Sequence, residues 1–229
     1  MQACFMYNQL CEVLRNPRRA ASAWLRHRLA KRQEYDHLRR LLPLLNVDCV
    51  FDVGANEGQY ARMLRRKARF KGLILSFEPN PSAVQALRRA ARGDPLWEVE
   101  EIALADDAEL RDFNVMEDAQ FSSLSTPRHD ETALFIKRNR VVRTVRVRTE
   151  TLALAFRRLR RRHGFSRPFL KMDTQGFDLS VFRSGLPVMD TFVGLQSELS
   201  VLRLYADAVE FHESVAAYTA AGFRLSGLV

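Results

Sequence analysis

Phe51-Asp52-Val53-Gly54-Ala55-Asn56-Glu57-Gly58-Gln59-Tyr60 is the stretch on which the reading of this chain turns. An apolar run that opens at Cys49 ends in a glycine-rich turn, and a segment with helical patterning opens at Tyr60. Glycines there let the main chain approach a ligand closely. The start of a helix offers free N–H groups and partial positive charge, suited to a carboxylate or a phosphate. Gly54 and Gly58 are four apart. That is neither the GxGxxG of a dinucleotide site nor the GK[ST] of a phosphate-binding P-loop.

Working outward, further apolar runs follow at Leu73–Phe77, Trp97–Ile102, Phe169–Met172, Thr191–Leu195 and Phe223–Leu225. Helical patterning separates several of them, at Tyr60–Arg69, Ser82–Arg92, Leu179–Arg183 and Val209–Ala221. Strands alternating with helices imply a doubly wound α/β fold around a mostly parallel sheet, covered on both faces. Leu110–Val115 and Val141–Val147 read as extra strands, the second with one solvated face, and Leu152–Arg162 as a basic amphipathic helix. Before Val47, leucines at near-helical spacing among arginines, punctuated by Pro17 and Pro43, predict an N-terminal helical appendage over residues 1–46. The domain is expected over 47–229.

The second informative stretch is Phe77-Glu78-Pro79-Asn80-Pro81. Glu78 closes the second strand, where an acid can accept both hydroxyls of a ribose. Its prolines fix the exit turn and start the next helix. A glycine turn after strand one with an acid after strand two reads as an adenosine site, and S-adenosylmethionine has that shape. Asp52 would orient the methionine end through its ammonium. The third stretch, Leu170-Lys171-Met172-Asp173-Thr174-Gln175-Gly176-Phe177-Asp178, ends strand four at the carboxyl edge of the sheet, where open α/β folds bind ligands. Asp173 is placed there to act on an acceptor hydroxyl or hold a cation; otherwise it or Thr174 caps the helix beginning near Asp178. Lys171 either pairs with Asp173 or snorkels. Gln196-Ser197-Glu198-Leu199-Ser200 ends strand five at the same edge, with Glu198 a second carboxylate facing the acceptor.

Composition excludes several classes. Of 229 residues, 47% are hydrophobic and 28% charged, which is neither disordered nor collagenous. No apolar run approaches the roughly 20 residues of a membrane-spanning helix. Cys4, Cys11 and Cys49 form no CxxC pair, and Met1–Arg19 lacks a secretory pattern, so a cytoplasmic location is expected. The net charge of +9 concentrates in residues 1–46, with nine basic against three acidic side chains, and 137–167, with twelve against one. Such segments attract nucleic acid, an anionic membrane surface or phosphorylated glycans, or are solvated arginine faces.

FDVGANEGQYA, FEPNP, LKMDTQGFDL and QSELS, in this order, resemble the FkbM family of S-adenosylmethionine-dependent methyltransferases across about 47–228. The resemblance implies the class I, Rossmann-like methyltransferase fold and O-methylation of a sugar, glycan or other hydroxylated small molecule. By this resemblance Asp52, Gly54, Asn56 and Gly58 hold the methionine moiety, with Ala55 and Tyr60 in the same motif. Glu78 takes the ribose, with Pro79 and Asn80 beside it, Ala103 lies next to the adenine, and Asp173 and Gln175 face the transferred methyl. Glu101 stands where relatives often carry Asn. The fold normally adds a seventh, antiparallel strand between strands five and six, whereas this sequence stops just past Phe223–Leu225; either a different strand fills that place, or a partner does, or the terminus is abbreviated.

A hydroxyl attacks the sulfonium methyl more readily as its proton leaves, which calls for a carboxylate base. Asp173 is the first candidate and Glu198 the second; a divalent cation bridging them would acidify the hydroxyl instead. His129, His163 and His212 read as surface histidines. Two alternatives stand beside this reading: a nucleic-acid methyltransferase using 137–167, although no Asn/Asp-Pro-Pro-aromatic sequence follows strand four, and a non-catalytic binding subunit. Residues 1–46 serve as a lid, a dimerisation element or a membrane contact.

Overall fold

A computed structural model describes residues 17–117, 122–124, 140–199 and 209–228, with the backbone alone for 17–28. Its centre is a five-stranded, all-parallel sheet made of β1 (Cys49–Val53), β2 (Leu73–Phe77), β3 (Trp97–Glu100), β7 (Pro168–Met172) and β8 (Gly194–Ser197), in the order β3-β2-β1-β7-β8. The order reverses between β1 and β7, so the crevice at their carboxyl ends is the switch point at which such sheets bind ligands. This is an α/β, Rossmann-like fold with a parallel central sheet.

β1 is buried on both faces, and its period of two sends Cys49, Phe51 and Val53 to one core and Val50 to the other. The first core is aromatic: the ring of Phe51 lies within 6.2 Å of those of Phe77, Phe156, Phe165 and Phe192. It is covered by α4 (Leu152–His163) and α5 (Asp178–Ser184). The second core joins Val50, Ile74 and Phe169 to Leu64, Leu87 and Trp97, and to Leu38 and Leu42 of α1 (Pro17–Leu44). Burying each such large side chain stabilises by about 1.5–3 kcal/mol.

β4 (Ala103–Ala105), β6 (Val141–Thr151) and β5 (Leu110–Met116) form a second sheet in the order β4-β6-β5, with β6 parallel to β4 and antiparallel to β5. The β5–β6 ladder is closed beyond its last pair: Glu117 N–H donates to Arg140 O at 3.0 Å, and the two side chains pair at 3.2 Å.

The described part of the N-terminal segment is one helix, Pro17–Leu44: Pro17 sits at its start, where its missing N–H costs nothing, and Pro43 removes a bond only in the last turn. Several sequence expectations are corrected. Trp97–Ile102 is not one strand: the chain turns tightly at Glu101, with Ile102 N–H donating to Glu100 O at 3.0 Å, and leaves for the second sheet as β4. Tyr60–Arg69 is α2 (Gln59–Met63) followed by a π turn over Leu64–Ala68. There the Arg65 guanidinium binds Phe70 O, Gly72 O, Leu96 O and the Asp94 carboxylate. The fifth strand begins at Gly194, since Leu186–Thr191 with Pro187 forms a 3₁₀ turn. Phe223–Leu225 is not a strand. Gly222 ends α6 (Phe211–Ala220) in the left-handed region, Phe223 N–H returns to Tyr218 O, and Ser226 Oγ lies 3.2 Å from His37 Nε2 of α1. Among the described residues the main sheet therefore stops at β8. In the same residues no helix is long and apolar enough to cross a membrane.

Candidate active site

Four strand ends meet at the carboxyl edge. After β1, Gly54 (φ 74°) and Gly58 (φ 83°) occupy the left-handed region, and protein packing demands both. A Cβ on Gly54 would collide with the carbonyl oxygen of Asp173; one on Gly58 would strike Leu87 and the Trp97 ring. The glycines thus bring the β1 turn against the β7 exit and α2 against β3 and α3 (Pro81–Ala91). Gly54 and Ala55 both donate their N–H to Phe77 O.

Glu78 follows β2 and is buried. One carboxylate oxygen accepts from Asn56 N–H and the other from Asn80 N–H, each at 2.8 Å. Asn80 in turn caps α3 by accepting from Ser82 N–H at 3.1 Å, and Pro81 opens that helix as its exit prolines predict. Burial pushes the Glu78 carboxyl up to about 7, against the pull of the two amides and Lys171. Pro79 is half-buried beside it. Each oxygen takes a single amide hydrogen, so both keep a lone pair for a second donor. A desolvated acid with two free lone pairs fits a diol, so its two acceptor oxygens fit the ribose hydroxyls of S-adenosylmethionine.

Asp52 is fully buried. Its Oδ1 lies 3.0 Å from Lys171 Nζ, and its Oδ2 accepts from Ser76 Oγ at 3.2 Å, which accepts from Trp97 Nε1 at 2.9 Å. Asp52 and Lys171 are register partners on adjacent strands. Lys171 thus pairs with Asp52 first; Asp173 Oδ2 stands farther, at 3.8 Å. Burial alone would lower the Lys171 pKa, but the charges of Asp52 and Asp173 raise it above the usual ammonium range. Tyr60, whose ring centroid is 5.2 Å from Lys171 Nζ, donates its hydroxyl to Gln196 Oε1 at 2.8 Å. Gln196 Nε2 donates to Glu34 of α1 at 2.9 Å. Burial, then the carboxylates of Asp52 and Glu34, hold the Tyr60 phenol well above its ordinary value.

Beyond β7 and β8, Asp173, Gln175 and Glu198 come together. Gln175 Nε2 donates to Asp173 Oδ1 and to Glu198 Oε2, both at 2.9 Å. Glu198 opens to solvent on its outer side, yet the protein around it and the carboxylates of Asp173 and Asp178 push its carboxyl above the usual range. An amide NH₂ held between the two acids presents hydrogens where a bridging cation would need lone pairs. Among the described residues no group of three or more His, Cys, Asp or Glu side chains is arranged to hold a metal ion. The divalent-cation expectation therefore finds no support in this arrangement.

The sequence marks Asp178 only as the start of a helix, and it does open α5. It is also a buried junction. Its Oδ1 accepts from Thr174 N–H and hydroxyl, and its Oδ2 from Ser197 Oγ and Glu198 N–H, so it joins the exits of β7 and β8. Burial raises its pKa, with the Thr174 contact opposing. Tyr218 of α6 reaches Ser197 at 2.9 Å, and Ser123 donates to Thr174 O and Gln175 O. The signal for Asp178 was its place four residues after Thr174; nothing in the sequence pointed to Ser123 or Tyr218.

Ala103 is buried in β4, packed with Phe113, Val115 and Val147. Glu101 is exposed and pairs with Arg88 at 2.9 Å. His163 and His212 stand beside Glu98 and Glu210 respectively, away from these strand ends. His129, Cys4, Cys11 and Ser200 lie outside the described residues. Cys49 is a buried free thiol, pushed up by burial and by Asp48.

A family model described as "Methyltransferase FkbM domain" matches residues 52–225. No curated protein matches the chain. A solved structure, the methyltransferase FkbM of Methylobacillus flagellatus KT, aligns with a TM-score of 0.40 at 12% identity, over 63% of this chain. The aligned part spans about 30% of that protein's length.

Proposed function

This chain belongs to the methyltransferase FkbM domain family, and from that premise we propose that it transfers the methyl group of S-adenosylmethionine to a hydroxyl of a sugar, a glycan or another small acceptor. One observation carries the reading: the carboxyl edge that holds the Gly54 turn and the Glu78 carboxylate also holds Asp173 and Glu198, joined by Gln175.

The bound cofactor supplies an activated methyl on a positively charged sulfur. The protein's task is alignment, exclusion of water and removal of one proton. In this reading Glu78 accepts the ribose hydroxyls, its two oxygens held apart by the Asn56 and Asn80 amides. Gly54, Ala55, Asn56 and Gly58 shape the turn that receives the amino-acid end, Tyr60 and Asn80 brace it, and Ala103 borders the adenine. Asp52, sequestered with Lys171, serves the turn from behind. Asp173 takes the proton of the acceptor hydroxyl at its carboxylate, and Gln175 orients that carboxylate through Oδ1. Glu198, whose carboxyl is raised, holds the far side of Gln175.

The test has two stages. Calorimetry with S-adenosylmethionine should show saturable binding, and incubation with methyl-labelled cofactor and fractionated extract of the source should yield a labelled product stable to nuclease. Absence of binding at millimolar cofactor would favour a non-catalytic subunit. A nuclease-sensitive label, with activity falling steeply in salt, would make the acceptor a nucleic acid.

A further inference from the structure

Lys171 is a buried charge in the middle of a parallel sheet, flanked along β7 by Phe169, Leu170 and Met172. Apolar pairs fill the neighbouring positions, Val50 with Phe169 and Phe51 with Leu170. A buried ion pair contributes little net stability compared with a well-packed apolar pair. The Asp52–Lys171 pair therefore calls for a reason other than stability.

Its contacts supply one. The ammonium lies 3.0 Å from Asp52 Oδ1 within β1, donates to Gly54 O at 3.1 Å in the turn after β1, and lies 3.8 Å from Asp173 Oδ2 in the loop after β7. Behind it stands the Tyr60 ring, itself fixed through Gln196 to Glu34 of α1. One charge thus touches the turn that would receive the cofactor and the carboxylate that would receive the acceptor's proton. The two loops also meet directly, since a Cβ added at Gly54 would collide with the Asp173 carbonyl oxygen. The two loops share one frame, and the ammonium is its common member.

Resting on the methyltransferase reading above, we propose that Lys171 is a positioning residue: held by Asp52 and the Gly54 carbonyl, it fixes the carboxylate of Asp173 relative to the cofactor turn. The same contacts assign Asp52 to Lys171 rather than to the ammonium of the cofactor.

The test separates positioning from folding and from cofactor binding. In the double variant Asp52→Asn/Lys171→Met both charges are gone, so neither is stranded. It should melt near the wild type and bind S-adenosylhomocysteine, followed by calorimetry, within about threefold of it. Its kcat on the labelled acceptor fraction should fall about 100-fold with KM little changed, the size expected of a misplaced catalytic group. A double variant that turns over like the wild type overturns the proposal. So does one in which cofactor affinity falls in step with kcat, since Lys171 would then serve the cofactor alone. Should the double variant fail to fold, Lys171→Gln keeps a donor for the Gly54 carbonyl without the charge, and normal turnover in it overturns the proposal equally. A wild type that binds no S-adenosylhomocysteine sinks the methyltransferase reading itself, whatever the variants do.

Discussion

A carboxyl held near neutrality, as Glu78 is, ties ligand affinity to pH. Its folded value of about 7 lies above the ordinary 4.5. Below that value it carries a proton; above it both oxygens accept. Cofactor affinity should therefore rise between pH 6 and pH 8, as titration calorimetry would show. Glu78→Gln should flatten this profile and weaken binding by about 1–3 kcal/mol. The unliganded protein should show the opposite trend in stability: a raised acid contributes most below its unfolded value, and that contribution disappears as pH climbs through 7. Gly54→Ala belongs to the same scale. A methyl driven into the Asp173 carbonyl, on a left-handed backbone, should destabilise by more than about 3 kcal/mol. Urea denaturation that finds the variant as stable as the wild type would refute the close approach.

At the scale of elements, the strands were legible where both faces are buried. Cys49–Val53, Leu73–Phe77 and Pro168–Met172 announce themselves as short apolar runs before glycine, proline or acid. The short elements were not. Thr191-Phe192-Val193 looks like a strand, but Phe192 enters the aromatic core from the end of a 3₁₀ turn. The run Trp97–Ile102 hides a corner at Glu101 that only the second sheet explains. The site shows the same division. Glu78 and Asp173 can be placed from motif and strand end, whereas the Asp52–Lys171 pair depends on register between strands 119 residues apart, which no local pattern encodes. Arg65 is another such case. It joins three carbonyls and Asp94, so Arg65→Ala should cost about 2–4 kcal/mol of stability, read as a lower urea midpoint at an unchanged m-value. Asp178→Ala should leave Thr174, Ser197 and Glu198 without their acceptor, and hydrogen exchange should quicken in both loops.

For the molecule as a whole, α1 closes a core. Leu38 and Leu42 lie on Val50, Ile74 and Phe169, while Glu34 is bound to Gln196 of the edge strand β8. A chain beginning at residue 47 uncovers that face, and exposed apolar area of this kind drives association. Size-exclusion chromatography of such a truncation should show soluble aggregates or no soluble protein, where the full chain elutes as a discrete species.

The bond between Glu117 and Arg140 gives the second sheet a use in protein engineering. It pins the two stalks of the β5–β6 ladder at a fixed separation, so whatever joins them starts and finishes at set coordinates. Exchange of 125–139 for the corresponding segment of a relative, which keeps the bonds from Ser123 to Thr174 O and Gln175 O, should leave the scaffold intact. Chimaeras joined at that neck offer a route to exchange one connection as a cassette without rebuilding the sheet.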